Sequence, residues 1–160
     1  MAVQLAKTMG AQVFAIASGK DGVELLKSLG CKAVINGKED DIFTLAMEFS
    51  PSGFDAAIIT AGGEAANTAV NCLRKGGRIV YPYGIYPELN IPEEVEATGY
   101  HGEPDPEIIT RLHRHIILNN ITVHISGIFA LKDAYKAHEA LQKHYLGKLC
   151  IEVNSYHRLD

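Results

Sequence analysis

The chain has 160 residues, enough for one domain with a real core, and its mix of apolar and charged residues is that of an ordinary globular protein. Its 15 basic and 19 acidic residues give a net charge of -4, which argues against a nucleic-acid surface and against a polybasic membrane patch. Cys31, Cys72 and Cys150 are odd in number and far apart, with no CxxC pair, so neither a structural zinc site nor a disulfide framework is indicated and no metal is expected. A reduced cytoplasm is the expected setting. No apolar run reaches membrane-spanning length. The start imitates a signal peptide, with Ala15-Ile16-Ala17 in the place of a cleavage site, but Gly10 and Gln12 interrupt the apolar segment.

In chain order, Met1, Leu5 and Met9 share a stripe that predicts a helix closed by Gly10. No capping residue precedes it. Gln12–Ala17 reads as an apolar strand leaving into Ser18-Gly19-Lys20. Asp21 then stands where it can cap a helix over Gly22–Leu29, with Glu24 completing a capping box. A strand over Lys32–Ile35 ends at Asn36-Gly37. A helix over Asp41–Phe49 stops at Ser50-Pro51-Ser52-Gly53.

The stretch Phe54–Gly63 is the centre of the pattern. Ala56–Ile59 reads as a short buried strand of a parallel sheet, and Thr60-Ala61-Gly62-Gly63 as its polar, glycine-rich exit. In open α/β sheets ligands sit beyond the carboxyl ends of the strands, so Thr60–Gly63 is a candidate nucleotide-binding segment. A tight strand-to-helix turn without a ligand fits the same residues.

Glu64–Arg74 has helical spacing and is expected to end at Gly76-Gly77, before a strand over Arg78–Tyr81 that leaves into Pro82-Tyr83-Gly84. Short strands alternating with helices are the signature of a doubly wound parallel sheet. Ile85–Pro104 is rich in proline, glutamate and glycine and is expected to hold one strand near Val95–Thr98. Asp105-Pro106 opens a helix that runs to about Asn119, with Ile109, Leu112 and Ile116 inward. Thr122–Ile125 reads as a strand, Leu131–Leu141 as a helix with Ala134, Ala137, His138 and Leu141 inward, and Lys148–Val153 as the last strand. Residues 1–153 therefore read as one dinucleotide-binding domain incomplete at its start, and residues 154–160 as a polar tail.

Ser18-Gly19-Lys20 is the most informative group. In dinucleotide-binding sheets an acidic residue at this point binds the 2′-hydroxyl of NAD, and a cation accommodates the 2′-phosphate of NADP. A carboxylate repels a phosphate, whereas a hydroxyl with an ammonium attracts it, which favours NADP. A plain turn with a solvated lysine is the alternative. No glycine-rich fingerprint precedes the first helix. The histidines show no ligand spacing: His113 and His115 point about 200° apart on a helix, and His138 reads as a hydrogen-bonded core histidine.

MAVQLAKTMGAQVFAIASGKDGVELLKSLGCKAVIN, FDAAIITAGG, LRKGGRIVYPYG and FALKDAYKAHEALQKHYLGKLCIEV together resemble the cofactor-binding half of the medium-chain dehydrogenase/reductase superfamily, in its zinc-independent quinone-oxidoreductase-like branch. The resemblance implies a Rossmann-type domain, NADPH as hydride donor, and reduction of quinones, enones or related carbonyl compounds. By position it places Ser18, Gly19 and Lys20 at the 2′-phosphate, Thr60, Ala61, Gly62 and Gly63 along the cofactor, and Tyr83 and Gly84 near its nicotinamide. It implies no catalytic residue in this chain. The tyrosine usual after the third strand is replaced by Gly37. The first strand, its glycine loop and an N-terminal catalytic domain have no counterpart, so the expectation is a fragment, inactive alone, whose sheet is either split or completed by another segment or a second chain. Two other readings share parts of the pattern: an S-adenosylmethionine-dependent methyltransferase, and a non-catalytic binding or oligomerisation module that forms a homodimer through the strand near Val95–Thr98.

Overall fold

The computed structural model describes residues 1–153; the tail 154–160 lies outside the described residues. The described chain divides into two compact units, one over residues 2–119 and one from Asn120 onward.

The first unit alternates helix and strand: α1 (Ala2–Thr8), β1 (Phe14–Ala17), α2 (Lys20–Ser28), β2 (Ala33–Asn36), α3 (Ile42–Phe49), β3 (Phe54–Ile58), α4 (Glu64–Val70), β4 (Leu73–Pro82), β5 (Glu96–Tyr100) and α5 (Pro106–Asn119). All its strand pairs are parallel, as the alternating pattern demands. The pairing is broken into two sheets, however: β1 with β2, and β3-β4-β5. Of the expected arrangements, this is the split sheet.

The split decides burial. Ile59, Val70, Ile79 and Val95 form the buried core of the larger sheet, closed by α4 and the 85–95 loop. Asn90 N–H donates to Asn67 Oδ1 at 2.9 Å and ties that loop to α4. The expectation of a buried Ala56–Ile59 strand is corrected here. Ile59 is buried, but Ala56 is exposed and Ile58 is 54% exposed, because one edge and one face of β3 have no cover among the described residues.

Two element boundaries also move. The helix expected over Glu64–Arg74 stops at Val70, and the chain is extended from Leu73. Phe54 N–H donates to the Cys72 carbonyl at 2.9 Å, so the ladder to β3 begins where the helix was to continue. Gly76-Gly77 is then no helix stop but part of a β-bulge, where the register jumps from Phe54↔Leu73 to Ala56↔Arg78. Gly76 has φ +72°, and a Cβ on Gly77 would come within 2.8 Å of the Arg74 carbonyl, so glycine is required there. At the second helix, Asp21 is not the cap. The helix starts at Lys20 behind Gly19, and Asp21 lies in its first turn, with Gly22 N–H donating to Asp21 Oδ1 at 2.9 Å.

The other caps follow the sequence. Asp105 Oδ1 accepts from the N–H groups of Glu107 and Ile108 at 2.8 and 3.1 Å and opens α5. Asp41 accepts from Thr44 N–H at 3.0 Å and from the Thr44 hydroxyl at 2.8 Å. These two bonds hold the Asp41 carboxyl below the usual carboxylate range. A depressed folded-state pKa means that its stabilisation is present above the unfolded pKa and is lost as pH falls through the folded one. Asp41→Ala is therefore expected to lower the thermal midpoint at neutral pH. The midpoints of parent and variant should converge in acid; a constant gap in parallel melts across pH would contradict this.

On α5, Leu112, His115 and Ile116 are half-buried and Ile109 is 40% exposed, so the inner face is one turn shorter than its spacing predicts. His115 Nε2 lies 2.6 Å from Thr8 Oγ1, which links α5 to α1.

The second unit is β6 (Ile125–Ala130), a 3-10 turn over Leu131–Asp133, α6 (Ala134–Leu141) and β7 (Lys148–Glu152), with β6 and β7 parallel. The strand expected over Thr122–Ile125 lies further on: only Ile125 of those residues is in β6. Ala137 is the buried residue of α6, and His138 is exposed, so it is not the core histidine that its position on the stripe predicts.

Candidate functional site

One cavity of about 720 Å³ runs along β1 and β3, and the carboxyl ends of both strands line it. Its rim brings together Ser18 from the β1 exit and Thr60, Ala61 and Gly62 from the β3 exit, with Ile59 behind them. Lys38 and Glu64 also line it. Residues far apart in the chain thus share one mouth because parallel strands end on the same side of a sheet.

Asn36 fixes the Ser18 side. It is the one buried polar residue among the described residues, and its Oδ1 accepts from Gly19 N–H at 3.0 Å and from Lys38 N–H at 3.2 Å. Asn36 N–H donates to Asp40 Oδ2 at 2.7 Å. One side chain therefore holds the turn after β1 against the turn after β2. Sequence reasoning takes Asn36 only as half of an Asn-Gly turn. Its position at the end of β2, one strand over from Ser18, is the available signal. Lys38, two residues on, is missed in the same way.

The β3 exit is shaped by its neighbours. A Cβ on Gly62 would collide with the Pro87 carbonyl oxygen and approach Tyr86 C and Pro87 N at 2.7 and 2.8 Å, so the 86–87 loop lies directly against it. Gly62 is thereby required for loop packing, whatever else the segment binds. Gly63 has φ +110° with open space around its Cβ position and sits as the N-cap of α4.

The remaining expected residues lie elsewhere. Gly19, Lys20 and Gly63 do not line the cavity. Tyr83 and Gly84 follow β4, outside it. The Tyr83 ring lies on Gly99 and against the His101 ring, with centroids 4.4 Å apart. His101, at the carboxyl end of β5, is not singled out by spacing, because its partner comes from the neighbouring strand.

Among the described residues, no group of three or more His, Cys, Asp or Glu side chains could hold a metal. Burial pushes the thiols of Cys31 and Cys72 up, which keeps them protonated and poorly nucleophilic. Among the described residues, no helix is long and apolar enough to cross a membrane.

Residues 1–142 match the zinc-binding dehydrogenase family model. The chain is 38% identical over 103 residues to an alcohol dehydrogenase of Geobacillus stearothermophilus, covering 64% of this chain and 30% of that protein. It is 32% identical over 79 residues to prostaglandin reductase-3 of Mus musculus, covering 49% of this chain and 21% of that one. The solved quinone oxidoreductase from Coxiella burnetii superposes with a TM-score of 0.78 at 31% identity, over 96% of this chain and 48% of the other. The chain thus spans less than a third of these curated relatives and about half of the solved enzyme. The match over residues 1–142, the parallel α/β build and the superposition agree: the chain belongs to the zinc-binding dehydrogenase family of the medium-chain dehydrogenase/reductase superfamily and is quinone-oxidoreductase-like.

Proposed function

We propose that this chain is the cofactor-binding portion of an NADPH-dependent oxidoreductase that reduces a quinone, an enone or a related carbonyl compound. The observation that carries the reading is the shared cavity: it runs along β1 and β3, and Ser18 and Thr60–Gly62, at the carboxyl ends of those strands, both line it, with a hydroxyl where an NAD site would have its acid. In this reading Ser18, Gly19 and Lys20 hold the 2′-phosphate, and Lys38 adds a second ammonium on the same side. Thr60, Ala61, Gly62 and Gly63 lie along the cofactor. Tyr83 and Gly84, beyond β4, lie toward its nicotinamide end. Bound NADPH supplies a hydride; these residues bind and orient it.

A titration that follows NADPH fluorescence tests this. The expected result is saturable but weak binding, tighter than for NADH, with no quinone turnover by the chain alone. Equal response to NADH would overturn the NADPH assignment. Micromolar affinity would overturn the view that the chain alone is a weak binder. Thermal melts with S-adenosylmethionine should show no rise in midpoint, since only a true ligand stabilises the folded state. The outer edge of β5, unpaired among the described residues, fits strand pairing with a second copy, and a size measurement would read that dimer.

A further inference from the structure

Asn36 closes β2 opposite Ala17, the last pair in the register of β1 and β2. It is 7% exposed, and a buried amide is costly unless its polar atoms are matched. Its Oδ1 accepts from the N–H groups of Gly19 and Lys38, which fixes the way round of the amide and turns Nδ2 away from both. Among the described residues Nδ2 donates to nothing. No side-chain nitrogen or oxygen sealed from solvent lacks a partner there either. The two Nδ2 hydrogens therefore meet an opening rather than a neighbour.

That opening belongs to the Ser18 side. One Oδ1 bond ties Asn36 to the Ser18-Gly19-Lys20 turn and the other to the Gly37-Lys38 turn, and Ser18, Gly37 and Lys38 line the cavity. The choice of an amide here is informative. A carboxylate would accept the same two N–H groups more strongly, since charge-assisted hydrogen bonds are about twice as strong as neutral ones. Holding the turns together thus favours aspartate. Two things favour asparagine instead. One is Asp40, whose Oδ2 accepts from Asn36 N–H at 2.7 Å and would face a like charge. The other is an anion bound at the opening, which a carboxylate would repel and an amide donor attracts.

We propose that Asn36 is a specificity-determining residue of the dinucleotide site, its Nδ2 donating to the 2′-phosphate and its neutrality admitting that group. This rests on the NADPH reading and deepens it. The phosphate gains a donor that the protein by itself leaves unspent, and the bond is charge-assisted, whereas a ribose hydroxyl of NADH gains only a neutral one. The amide is already held by two backbone N–H groups, so little side-chain freedom is lost on binding. The same side chain keeps both lysine-bearing turns next to one anion.

The test uses the 160-residue chain with adenosine 2′-monophosphate and adenosine 5′-monophosphate as probes. The first readout is the side-chain amide signal of Asn36 in nitrogen-15 spectra. With the 2′-monophosphate it should move in step with the backbone signals of Ser18 and Lys38, and with the 5′-monophosphate it should move little. An Asn36 amide that stays put while Ser18 and Lys38 respond to the 2′-monophosphate overturns the proposal and leaves the NADPH reading standing. The same response to both nucleotides at all three residues overturns both. The second readout is the variant Asn36→Asp combined with Asp40→Asn, which moves one negative charge, keeps the net charge and removes the clash between like charges. Its melting midpoint without ligand should stay close to that of the parent. Its affinity for the 2′-monophosphate should fall about tenfold or more, with that for the 5′-monophosphate unchanged. Parent-like affinity for the 2′-monophosphate would mean that Asp40 alone explains the amide, and the proposal falls. The spectra need no variant, so they decide the matter even where the double variant does not fold.

Discussion

Replacing Ser18 with aspartate is expected to reverse the cofactor preference. NADPH affinity should fall by about 10- to 100-fold, the equivalent of roughly 1.5–3 kcal/mol for a hydrogen bond to a charged group. NADH affinity should hold or rise. The cause is local electrostatics. Ser18 is exposed at the cavity rim beside a turn whose backbone is held by Asn36, so the new carboxylate would stand where the 2′-phosphate is proposed to sit. A carboxylate repels that phosphate and accepts hydrogen bonds from the two free ribose hydroxyls of NADH. Asp21 is already near: a Cβ on Gly19 would lie 3.2 Å from Asp21 Oδ1. The turn's positive character therefore depends on Lys20 and Lys38 outweighing Asp21 and Asp40, the latter held by Asn36 N–H, and a further acid should tip it. Melting midpoints at a fixed cofactor concentration read the result even where binding is weak. The parent should be stabilised more by NADPH and the variant more by NADH. An unchanged order would remove Ser18 from the site.

Ile79→Ala is expected to destabilise the first unit by about 2–5 kcal/mol, the cost of truncating a buried aliphatic side chain and leaving a cavity. Ile79 is 1% exposed and stands between Val70, at 0%, Ile59 and Val95. It lies on the middle strand of its sheet, paired with Ala57 on one side and Ala97 on the other. Small neighbours on both sides offer nothing to collapse into the space. Val80→Ala, on the opposite face of the same strand, should cost far less, since Val80 is 36% exposed on a face without cover among the described residues. Urea denaturation of the two variants side by side checks the contrast. Equal losses would mean that both faces of β4 are covered in solution.

The contrast between those two neighbours also shows where the sequence is readable. Ile79 and Val80 cannot be told apart in the run Arg78-Ile79-Val80-Tyr81, because a strand meant for cover on both faces is apolar throughout. The run announces a parallel strand, and it is one. It says nothing of which face is covered. The same holds for Ala56–Ile59, whose apolar pattern reads as burial and whose Ile58 is half open. His138 departs from expectation for a related reason. It lies on the helical stripe of α6, but the sheet beneath that helix has only two strands among the described residues, β6 and β7, and reaches only as far as Ala134 and Ala137.

Local chemistry is more legible than tertiary cover. Asp41 and Asp105 cap the helices that their positions announce, since a cap is decided within four residues. Asp21 has the same local credentials but loses the role to Gly19, whose N–H is held by Asn36 from another strand. The Gly76-Gly77 pair reads as a helix stop because glycine marks both helix ends and bulges, and only the ladder from Phe54 to Cys72 distinguishes them.

By itself the sequence determined the alternation of strand and helix, the parallel direction of the strands, and the family to which the chain belongs. The first two rest on periodicity, turn residues and caps, which act over a few neighbours; the family rests on the resemblance of whole stretches such as FDAAIITAGG and LRKGGRIVYPYG. Only the tertiary structure decided that the sheet is split between β1 and β3, that Ser18 and Thr60 share one mouth, and that Asn36 and Lys38 stand beside them. Strand order and edge pairing join residues dozens of positions apart through backbone hydrogen bonds, and those bonds are the same for every side chain, so they leave no mark in the order of the letters.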